Sequence, residues 1–234
     1  LNAAIESYQK AIKIKSDYAE AYLNMGIALS EKGEFDAAIS SYKEAIKIRP
    51  NYAKAYNNIA NALAGQGDLD AAIGNFEKSL KINSGVAETY YNMGVVLRSR
   101  GELDLAIHRY QQAIKINPDH VRAYTNLGTV LRDQQELGAA IESYKKAIKI
   151  NPNYADAHYN LGIALKEIGE TDAAIESYRQ AIKIKPKYTF ALQAMGIALS
   201  EKGEAGQASE VFLKLIRISP NDPRVFFNFG NHLK

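Results

Sequence analysis

The chain has 234 residues, of which 47% are hydrophobic and 24% are charged, a composition typical of a folded protein and not of a disordered one. It contains no cysteine, which excludes disulfides, thiolate metal sites and cysteine nucleophiles. The net charge of +3 is too small to indicate a nucleic-acid partner, and no apolar stretch approaches the roughly 20 residues that span a bilayer.

One pattern returns through the whole chain every 34 residues. The segment NMGIALSEKGEFDAAISSYKEAIKI begins at Asn24, and related segments begin at Asn58, Asn92, Asn126, Asn160 and, in degraded form, Ala194. The predicted frame is a half repeat (1–18), repeats 1 to 6 (19–52, 53–86, 87–120, 121–154, 155–188 and 189–222) and a second half repeat (223–234). A period of this length indicates a single array of stacked repeats.

Each repeat predicts two helices. In the first helix of repeat 1, Tyr22, Met25 and Leu29 follow the spacing of an amphipathic helix. Glycine then stands where a left-handed C-cap would end that helix, at Gly33, Gly67, Gly101, Gly169 and Gly203. The second helix carries small and aromatic residues on one face and stops ahead of a proline. With the half repeats, this predicts 14 helices in an all-α solenoid; a coiled coil is excluded because glycine and proline interrupt every heptad run.

The positions of the small and large residues resemble the tetratricopeptide repeat, at Tyr22, Met25, Gly26, Leu29, Ala38, Tyr42, Ala45 and Pro50. The resemblance covers the full length and implies a right-handed superhelix of helix–turn–helix repeats. It also implies a scaffold that binds proteins or peptides in a concave groove lined by the first helices. Local departures from the pattern occur at Ala60, Ser84, Gln135 and Leu215.

Asparagine recurs at one position of the first helix, at Asn24, Asn58, Asn92, Asn126, Asn160 and Asn228. An asparagine inside a helix costs about 0.6 kcal/mol relative to alanine, so its recurrence needs a reason. Its amide complements a peptide unit, and we predict a row that holds an extended chain. The row resembles that of O-linked N-acetylglucosamine transferases, which implies, as an alternative, the substrate-recruiting arm of a larger glycosyltransferase. A structural asparagine copied by duplication is the competing interpretation.

Two further sets of side chains are candidates for the same groove. Arg98, Arg132 and Lys166 in successive repeats would form a short basic strip that favours an acidic segment; the alternative is a solvated charged face. Tyr91 and Tyr159 directly precede the asparagine and would also line the groove. A nucleic-acid partner is disfavoured because carboxylates stand one turn away, at Glu20, Glu88 and Asp156.

Catalytic chemistry has little support in the sequence. The histidines are scattered, at His108, His120, His158 and His232, and their spacing forms neither a metal site nor a nucleophile dyad. We therefore expect no enzyme activity in this segment, no metal and no cofactor; a catalytic domain elsewhere in a longer chain stays open.

The two half repeats are complementary. The chain starts at Leu1 without a methionine and in mid-repeat, so we expect a fragment of a longer protein, with a cytoplasmic location and no membrane partner. The half repeats predict head-to-tail self-association, in which an N-terminal helix bearing Ala4, Tyr8 and Ala11 meets a C-terminal helix bearing Phe226, Phe227 and Phe229. A scaffold that assembles through its ends is therefore a further alternative.

Overall fold

The computed structural model describes residues 1–233, which form 14 α-helices and no strand. The all-α class and the number of helices predicted from the sequence are confirmed. The helices are α1 (Asn2–Ile14), α2 (Ala19–Glu31), α3 (Phe35–Ile48), α4 (Ala53–Gln66), α5 (Leu69–Ile82), α6 (Ala87–Ser99), α7 (Leu103–Ile116), α8 (Val121–Asp133), α9 (Leu137–Ile150), α10 (Ala155–Glu167), α11 (Thr171–Ile184), α12 (Thr189–Glu201), α13 (Ala205–Ile218) and α14 (Pro223–His232).

The helices follow the sequence period. The first helices of the six repeats begin at the residues that open the predicted frames, and α14 begins at Pro223, where proline suits the first turn of a helix. The chain divides into two compact bodies, the N-terminal body Leu1–Pro118 with α1–α7 and the C-terminal body Asp119–Lys234 with α8–α14.

The turns between the two helices of a repeat depend on a left-handed residue. Gly33, Gly67, Gly101, Gly169 and Gly203 have φ between 81° and 86°, as the cap prediction requires. Repeat 4 has Gln135 in this place, with φ of 66°, and it is the one non-glycine residue of 1–233 with a positive φ. A side chain in this conformation costs roughly 1–2 kcal/mol, so this turn is held by the helices around it.

In every repeat except repeat 2, which has Ala60 at this position, a glycine of the first helix lies against an aromatic ring of the second. A Cβ placed on Gly162 would lie 2.5 Å from the Tyr178 ring, and one on Gly26 would lie 2.5 Å from the Tyr42 ring. Tyr42 and Tyr178 are almost completely buried. Because the missing side chain is what lets the ring in, this pair sets the close approach of the two helices.

Each second helix of a full repeat packs on the first helix of its own repeat. All of them except α7, the last helix of the N-terminal body, also pack on the next first helix of the same body. Consecutive first helices also contact each other within each body (α2 with α4, α4 with α6, α8 with α10, α10 with α12, α12 with α14), whereas no such contact joins consecutive second helices among the residues described. The stack in each body therefore curves toward its first helices, which lie on its inner side.

Candidate functional site

The six asparagines of the predicted row lie on first helices and reach the surface. Asn24 is exposed, and Asn58, Asn92, Asn126, Asn160 and Asn228 are partly exposed. None is buried between helix layers. The row is described separately for each body: Asn24, Asn58 and Asn92 on neighbouring first helices of the N-terminal body, and Asn126 and Asn160 on α8 and α10 of the C-terminal body, with Asn228 on α14.

The hydrogen bonds of these amides bear on the two interpretations of the row. Within residues 1–233, the side chains of Asn24, Asn92, Asn160 and Asn228 form no hydrogen bond, and Asn58 accepts one long bond of 3.4 Å from the Asn57 amide. A structural asparagine would satisfy its amide inside the protein. These side chains therefore keep donors and acceptors that face solvent.

The predicted basic residues of the C-terminal body are paired with carboxylates. Arg132 lies 3.3 Å from Asp133 and 3.8 Å from Glu167, while Lys166 lies 2.9 Å from Glu201. Both longer-range pairs join one first helix to the next. Along this face positive and negative charges alternate, which lowers the attraction for an acidic segment; Arg98, in the other body, is partly exposed.

The predicted groove tyrosines pack against other rings. The centroid of Tyr91 lies 6.0 Å from that of Tyr110, and the centroid of Tyr159 lies 6.1 Å from Tyr178 and 5.2 Å from Tyr188. Burial raises the pKa of the Tyr159 phenol. Tyr91 therefore packs on α7 of its own repeat, Tyr159 packs on α11 and on the loop that precedes α12, and both rings remain partly exposed.

Two joints between repeats differ in how they are filled. Joint 5/6 comprises the start of α10, the end of α11 with its following loop, and the start of α12. There the rings of Tyr159 and Tyr188 lie together, and the Tyr188 hydroxyl donates to Asp156 Oδ1 at 2.7 Å. The Lys185 ammonium lies 4.5 Å from the centre of the Tyr188 ring. Burial, and then the hydrogen bond to Asp156, raise the pKa of Tyr188.

Joint 2/3 comprises the start of α4, the end of α5 with its following loop, and the start of α6, and it contains a cavity of about 320 Å³. Asn57 and Val86 stand where joint 5/6 has its two tyrosines, 102 residues later in the sequence. The lining includes Lys54, Asn57, Asn58, Ser79, Val86 and Thr89. This cavity was not among the sites predicted from the sequence. The available signal was that several residues of one joint depart from the repeat's own pattern.

The structure also brings His232 together with two serines that the sequence does not associate with it. One ring nitrogen lies 2.9 Å from Ser200 Oγ and the other 2.8 Å from Ser209 Oγ, and the ring stacks on Phe229. Both nitrogens are engaged by hydroxyls, so the imidazole ties α14 to α12 and α13. A second cavity of about 300 Å³ lies beside it, lined by residues that include Ile197, Glu201 and Asn228.

His120 and His158 contact the backbone, while His108 Nε2 lies 3.4 Å from the side-chain nitrogen of Gln112. His120 Nδ1 accepts the Ala123 N–H at the start of α8, and His158 Nε2 lies 2.9 Å from the Pro152 carbonyl oxygen. Within residues 1–233, no cluster of three or more His, Asp or Glu could hold a metal ion. Over the same residues, no helix has both the length and the apolar character needed to cross a membrane.

The residues predicted to mediate self-association differ in exposure. On α14, Phe226 and Phe227 expose 48% and 69% of their surface, while Phe229 packs on Phe212 with ring centroids 5.9 Å apart. On α1, Ala4 is exposed and Tyr8 and Ala11 are partly exposed. Two of the three phenylalanines thus present apolar surface to solvent.

Family models described as "TPR repeat" match residues 1–33, 28–67 and 128–169, and models described as "Tetratricopeptide repeat" match residues 51–119, 110–142, 155–188 and 191–222. The chain belongs to the tetratricopeptide repeat family. These matches establish the repeat without distinguishing glycosyltransferase repeats from others. No curated protein matches the chain.

Solved structures of similar proteins agree with this family. MamA is 31% identical, with a TM-score of 0.64, over 70% of this chain and 95% of its own. YrrB, described as a TPR protein with an unusual peptide-binding site, is 27% identical, with a TM-score of 0.64, over 81% of this chain and 98% of its own. PilF of Pseudomonas aeruginosa shares the fold at 20% identity, with a TM-score of 0.79, over 91% of this chain and 96% of its own.

Proposed function

We propose that the chain is a scaffold that binds an extended protein or peptide segment along its first helices, through the row of asparagine amides. The observation that carries this proposal is the row itself. Within each body, carboxamides recur at 34-residue intervals on neighbouring first helices, at Asn24, Asn58 and Asn92 and at Asn126 and Asn160. They reach solvent, and those of Asn24, Asn92, Asn160 and Asn228 have no hydrogen-bond partner within residues 1–233. A carboxamide offers a donor pair and an acceptor, which match the carbonyl and the N–H of a peptide unit.

The spacing of the row suits an extended ligand. Packed helices lie about 8–10 Å apart, and an extended chain advances about 3.3 Å per residue. One asparagine would therefore meet the ligand backbone about every third residue. Such contacts hold the backbone and leave the ligand side chains to other groups on the same surface, among them Arg98, the paired Arg132 and Lys166, and the edges of Tyr91 and Tyr159.

The YrrB structure supports the same general function, because that protein is described as having a peptide-binding site. It does not determine the ligand of this chain. The substrate-recruiting arm of a larger glycosyltransferase stays a prediction from the sequence, and a nucleic-acid partner stays disfavoured because Glu88 and Asp156 stand beside the proposed groove.

The test is the triple variant Asn92→Ala, Asn126→Ala, Asn160→Ala. A peptide array selects the tightest ligand of the unchanged protein, and fluorescence anisotropy compares its Kd. Since a net hydrogen bond contributes about 0.5–1.5 kcal/mol, the loss of three should weaken binding at least about 10-fold, while the helical circular dichroism is kept.

The matched control is the variant Gln9→Ala, Gln111→Ala, Gln207→Ala. It removes three carboxamides from helices that are not first helices of a repeat. These side chains are exposed on α1, α7 and α13, so peptide binding should not change. Equal binding by the asparagine variant and this control would show that the row is not the binding site.

Head-to-tail self-assembly is a second candidate function, favoured by the exposed rings of Phe226 and Phe227 on α14 and by Ile14 on α1, which exposes 88% of its surface. We expect light scattering of the 234-residue chain to show a mass that grows with concentration, and Phe226→Ser with Phe227→Ser to remove that growth. Phe190→Ser is the control, because Phe190 exposes 58% of its surface on α12. A monomer at every concentration would refute self-assembly.

A further inference from the structure

We infer that the cavity of joint 2/3 is a side-chain pocket that takes a tyrosine of the bound polypeptide. The inference deepens the proposed function and rests on it for the source of that tyrosine. The pocket itself is argued from the contrast between joints of the same protein and from one buried amide oxygen.

Joints 5/6 and 1/2 fill the space that is open in joint 2/3. In joint 5/6, Tyr159 and Tyr188 lie with ring centroids 5.2 Å apart. In joint 1/2, Leu23 is 3% exposed, and the Arg49 guanidinium lies 4.6 Å from the centre of the Tyr52 ring. Each of these joints thus has a large apolar residue at the first position and a tyrosine at the second.

Joint 2/3 has smaller residues at both positions. Asn57 replaces the tyrosine or leucine, and Val86 replaces the tyrosine. The result is an opening of about 320 Å³, at the small end of the range of ligand pockets, which is about 300–1,000 Å³. Asn57 and Val86 leave aromatic surface out of this joint, and the resulting space is large enough to admit an aromatic side chain.

Two buried positions of the same joint have gained hydroxyls. Ser79 and Thr89, each 2% exposed, replace alanines that are fully buried in joint 5/6, Ala181 and Ala191. The Ser79 hydroxyl donates to the Ala53 carbonyl at 2.9 Å. Four departures from the repeat therefore converge on one cavity, and two of them make its wall more polar.

The amide of Asn57 points to the chemistry of the occupant. Its nitrogen donates to Asn58 Oδ1 at 3.4 Å, but its buried oxygen Oδ1 has no hydrogen-bond partner. A buried acceptor without a donor costs about 1–3 kcal/mol. Because Asn57 Oδ1 is closed off from the cavity, the amide must turn toward the opening before a ligand O–H can reach it. That hydrogen bond would recover the free energy, which an aromatic ring without a hydroxyl could not do.

The polar residues at the mouth of the pocket could form hydrogen bonds with a phenol. In joint 5/6, the Tyr188 hydroxyl donates to the carboxylate of Asp156. The corresponding residue in joint 2/3 is Lys54, which can only donate, and the lining also includes the carboxylate of Glu88. A phenol in the pocket would accept from Lys54 and donate to Asn57, so both of its hydrogen-bonding functions have a complement among the lining residues.

The pocket opens beside the proposed backbone contact. Asn58 belongs to the asparagine row and also lines the cavity. A polypeptide held by the row would therefore pass the mouth of the pocket and could place one side chain in it. This gives the scaffold a sequence preference at one ligand position, which backbone contacts alone do not supply.

The test uses p-cresol, the side chain of tyrosine, as the probe, and toluene as its analogue without the hydroxyl. The full chain is titrated with each while amide resonances are followed by NMR. We expect p-cresol to shift the resonances of Ser79 and Thr89 and to bind at least about fivefold more tightly than toluene, the ratio that corresponds to one net hydrogen bond. Equal affinities, or no binding of either, would overturn the inference.

Two variants locate the site. Asn57→Leu introduces the residue of repeat 1 and removes the acceptor, so the preference for p-cresol should disappear. Asn57→Tyr with Val86→Tyr introduces the residues of repeat 5 and fills the cavity, so p-cresol should no longer bind while the helical circular dichroism is kept. Binding of p-cresol that survives in the filled variant would place the probe elsewhere and refute the pocket.

The asparagine variant separates this inference from the proposed function. Asn92→Ala, Asn126→Ala, Asn160→Ala should still bind p-cresol as the unchanged chain does, whatever it does to peptides. If p-cresol binds and a tyrosine peptide gains nothing over the same peptide with alanine, the inferred source of the side chain is wrong. If the tyrosine peptide binds at least about fivefold better and Asn57→Leu removes that gain, the inference holds.

Discussion

Joints 2/3 and 5/6 are formed by helices at the same positions of the repeat and differ in the residues that lie between them. In joint 5/6, Tyr159 and Tyr188 pack together and Asp156 accepts the phenol hydrogen. In joint 2/3, Asn57 and Val86 leave a cavity of about 320 Å³. The residues that bring the helices together, such as Gly162 and Tyr178, are separate from the residues that fill the joints. A repeat protein can thus empty one joint without altering its fold.

The largest expected effect comes from hollowing the filled joint. Tyr159→Asn with Tyr188→Val gives joint 5/6 the residues of joint 2/3 and removes two partly buried rings and the bond to Asp156. By analogy with losses of large core side chains, the free energy of unfolding should fall by about 3 kcal/mol, measured by urea denaturation. Tyr18→Val is the control, because Tyr18 occupies the position of Tyr188 but exposes 41% of its surface. Equal losses in the two proteins would contradict the account of joint 5/6.

The second prediction concerns the close contact between Gly162 of α10 and the Tyr178 ring of α11, next to joint 5/6. In Gly162→Ala the new Cβ would lie 2.5 Å from the Tyr178 ring, so the ring that packs on Tyr159 must move. Overpacking of this kind costs about 1–3 kcal/mol. Gly138→Ala is the matched control: nothing lies within 4 Å of its Cβ position in α9, and alanine should stabilise that helix. If Gly162→Ala left the free energy of unfolding unchanged, the Tyr178 ring could move aside without cost, and this prediction would be wrong.

Alkaline pH should act most strongly on the tyrosine-filled parts of the structure. Burial raises the pKa of Tyr42 to about 12 and also raises the pKa values of Tyr178 and Tyr188. In the unfolded chain a phenol has a pKa of about 10. The stabilising contribution of the neutral phenols is therefore complete below pH 10 and is lost as the pH rises toward 12 and beyond.

The measurement for this prediction is the urea midpoint at pH 8, 10 and 11, with phenolate absorbance followed in parallel. The midpoint should fall above pH 10, and the hollowed variant, which lacks two of the tyrosines, should lose less over the same interval. A midpoint that stays constant to pH 11 would refute the prediction.

The smallest expected effect concerns the turn between the two helices of repeat 4, which lies outside both joints. Gln135→Gly replaces the residue with φ of 66° by the residue found in the equivalent turns. Relief of the left-handed strain outweighs the greater entropy of the unfolded glycine chain, so stability should rise by about 1 kcal/mol. Thermal unfolding of this variant and of Gly169→Ala, which should lose stability, provides the comparison. A loss of stability in Gln135→Gly would contradict it.

Much of the fold follows from local signals in the sequence. The 34-residue period placed the first helices, since Ala53 and Ala155 begin both a predicted repeat and an observed helix. Glycine at a fixed offset marked the left-handed turns because only that residue adopts the conformation without a steric cost. These features depend on residues close together in the chain, and their periodic recurrence strengthens them.

The details of the candidate site depend on residues far apart in sequence. Asn57 and Val86 approach one cavity only after α4, α5 and α6 have packed, and the sequence gives no measure of how much space their side chains leave. The pairing of Lys166 with Glu201 likewise requires two neighbouring first helices, and it turns an expected basic strip into alternating charges. The sequence shows that Ser84 replaces the proline of the repeat pattern. It does not show that the other residues of this joint line a common cavity, because they meet only in the folded structure.

The contacts between consecutive first helices have a mechanical consequence. Each body is held by contacts between near neighbours, so the helical hairpins of an array can detach in succession under load or heat instead of all at once. A polypeptide bound along several first helices would resist this separation, because moving any two hairpins apart would also break the contacts between the ligand and the asparagine amides. Binding of the polypeptide should therefore stiffen the stack of helices. The scaffold should deform more easily without the ligand than with it.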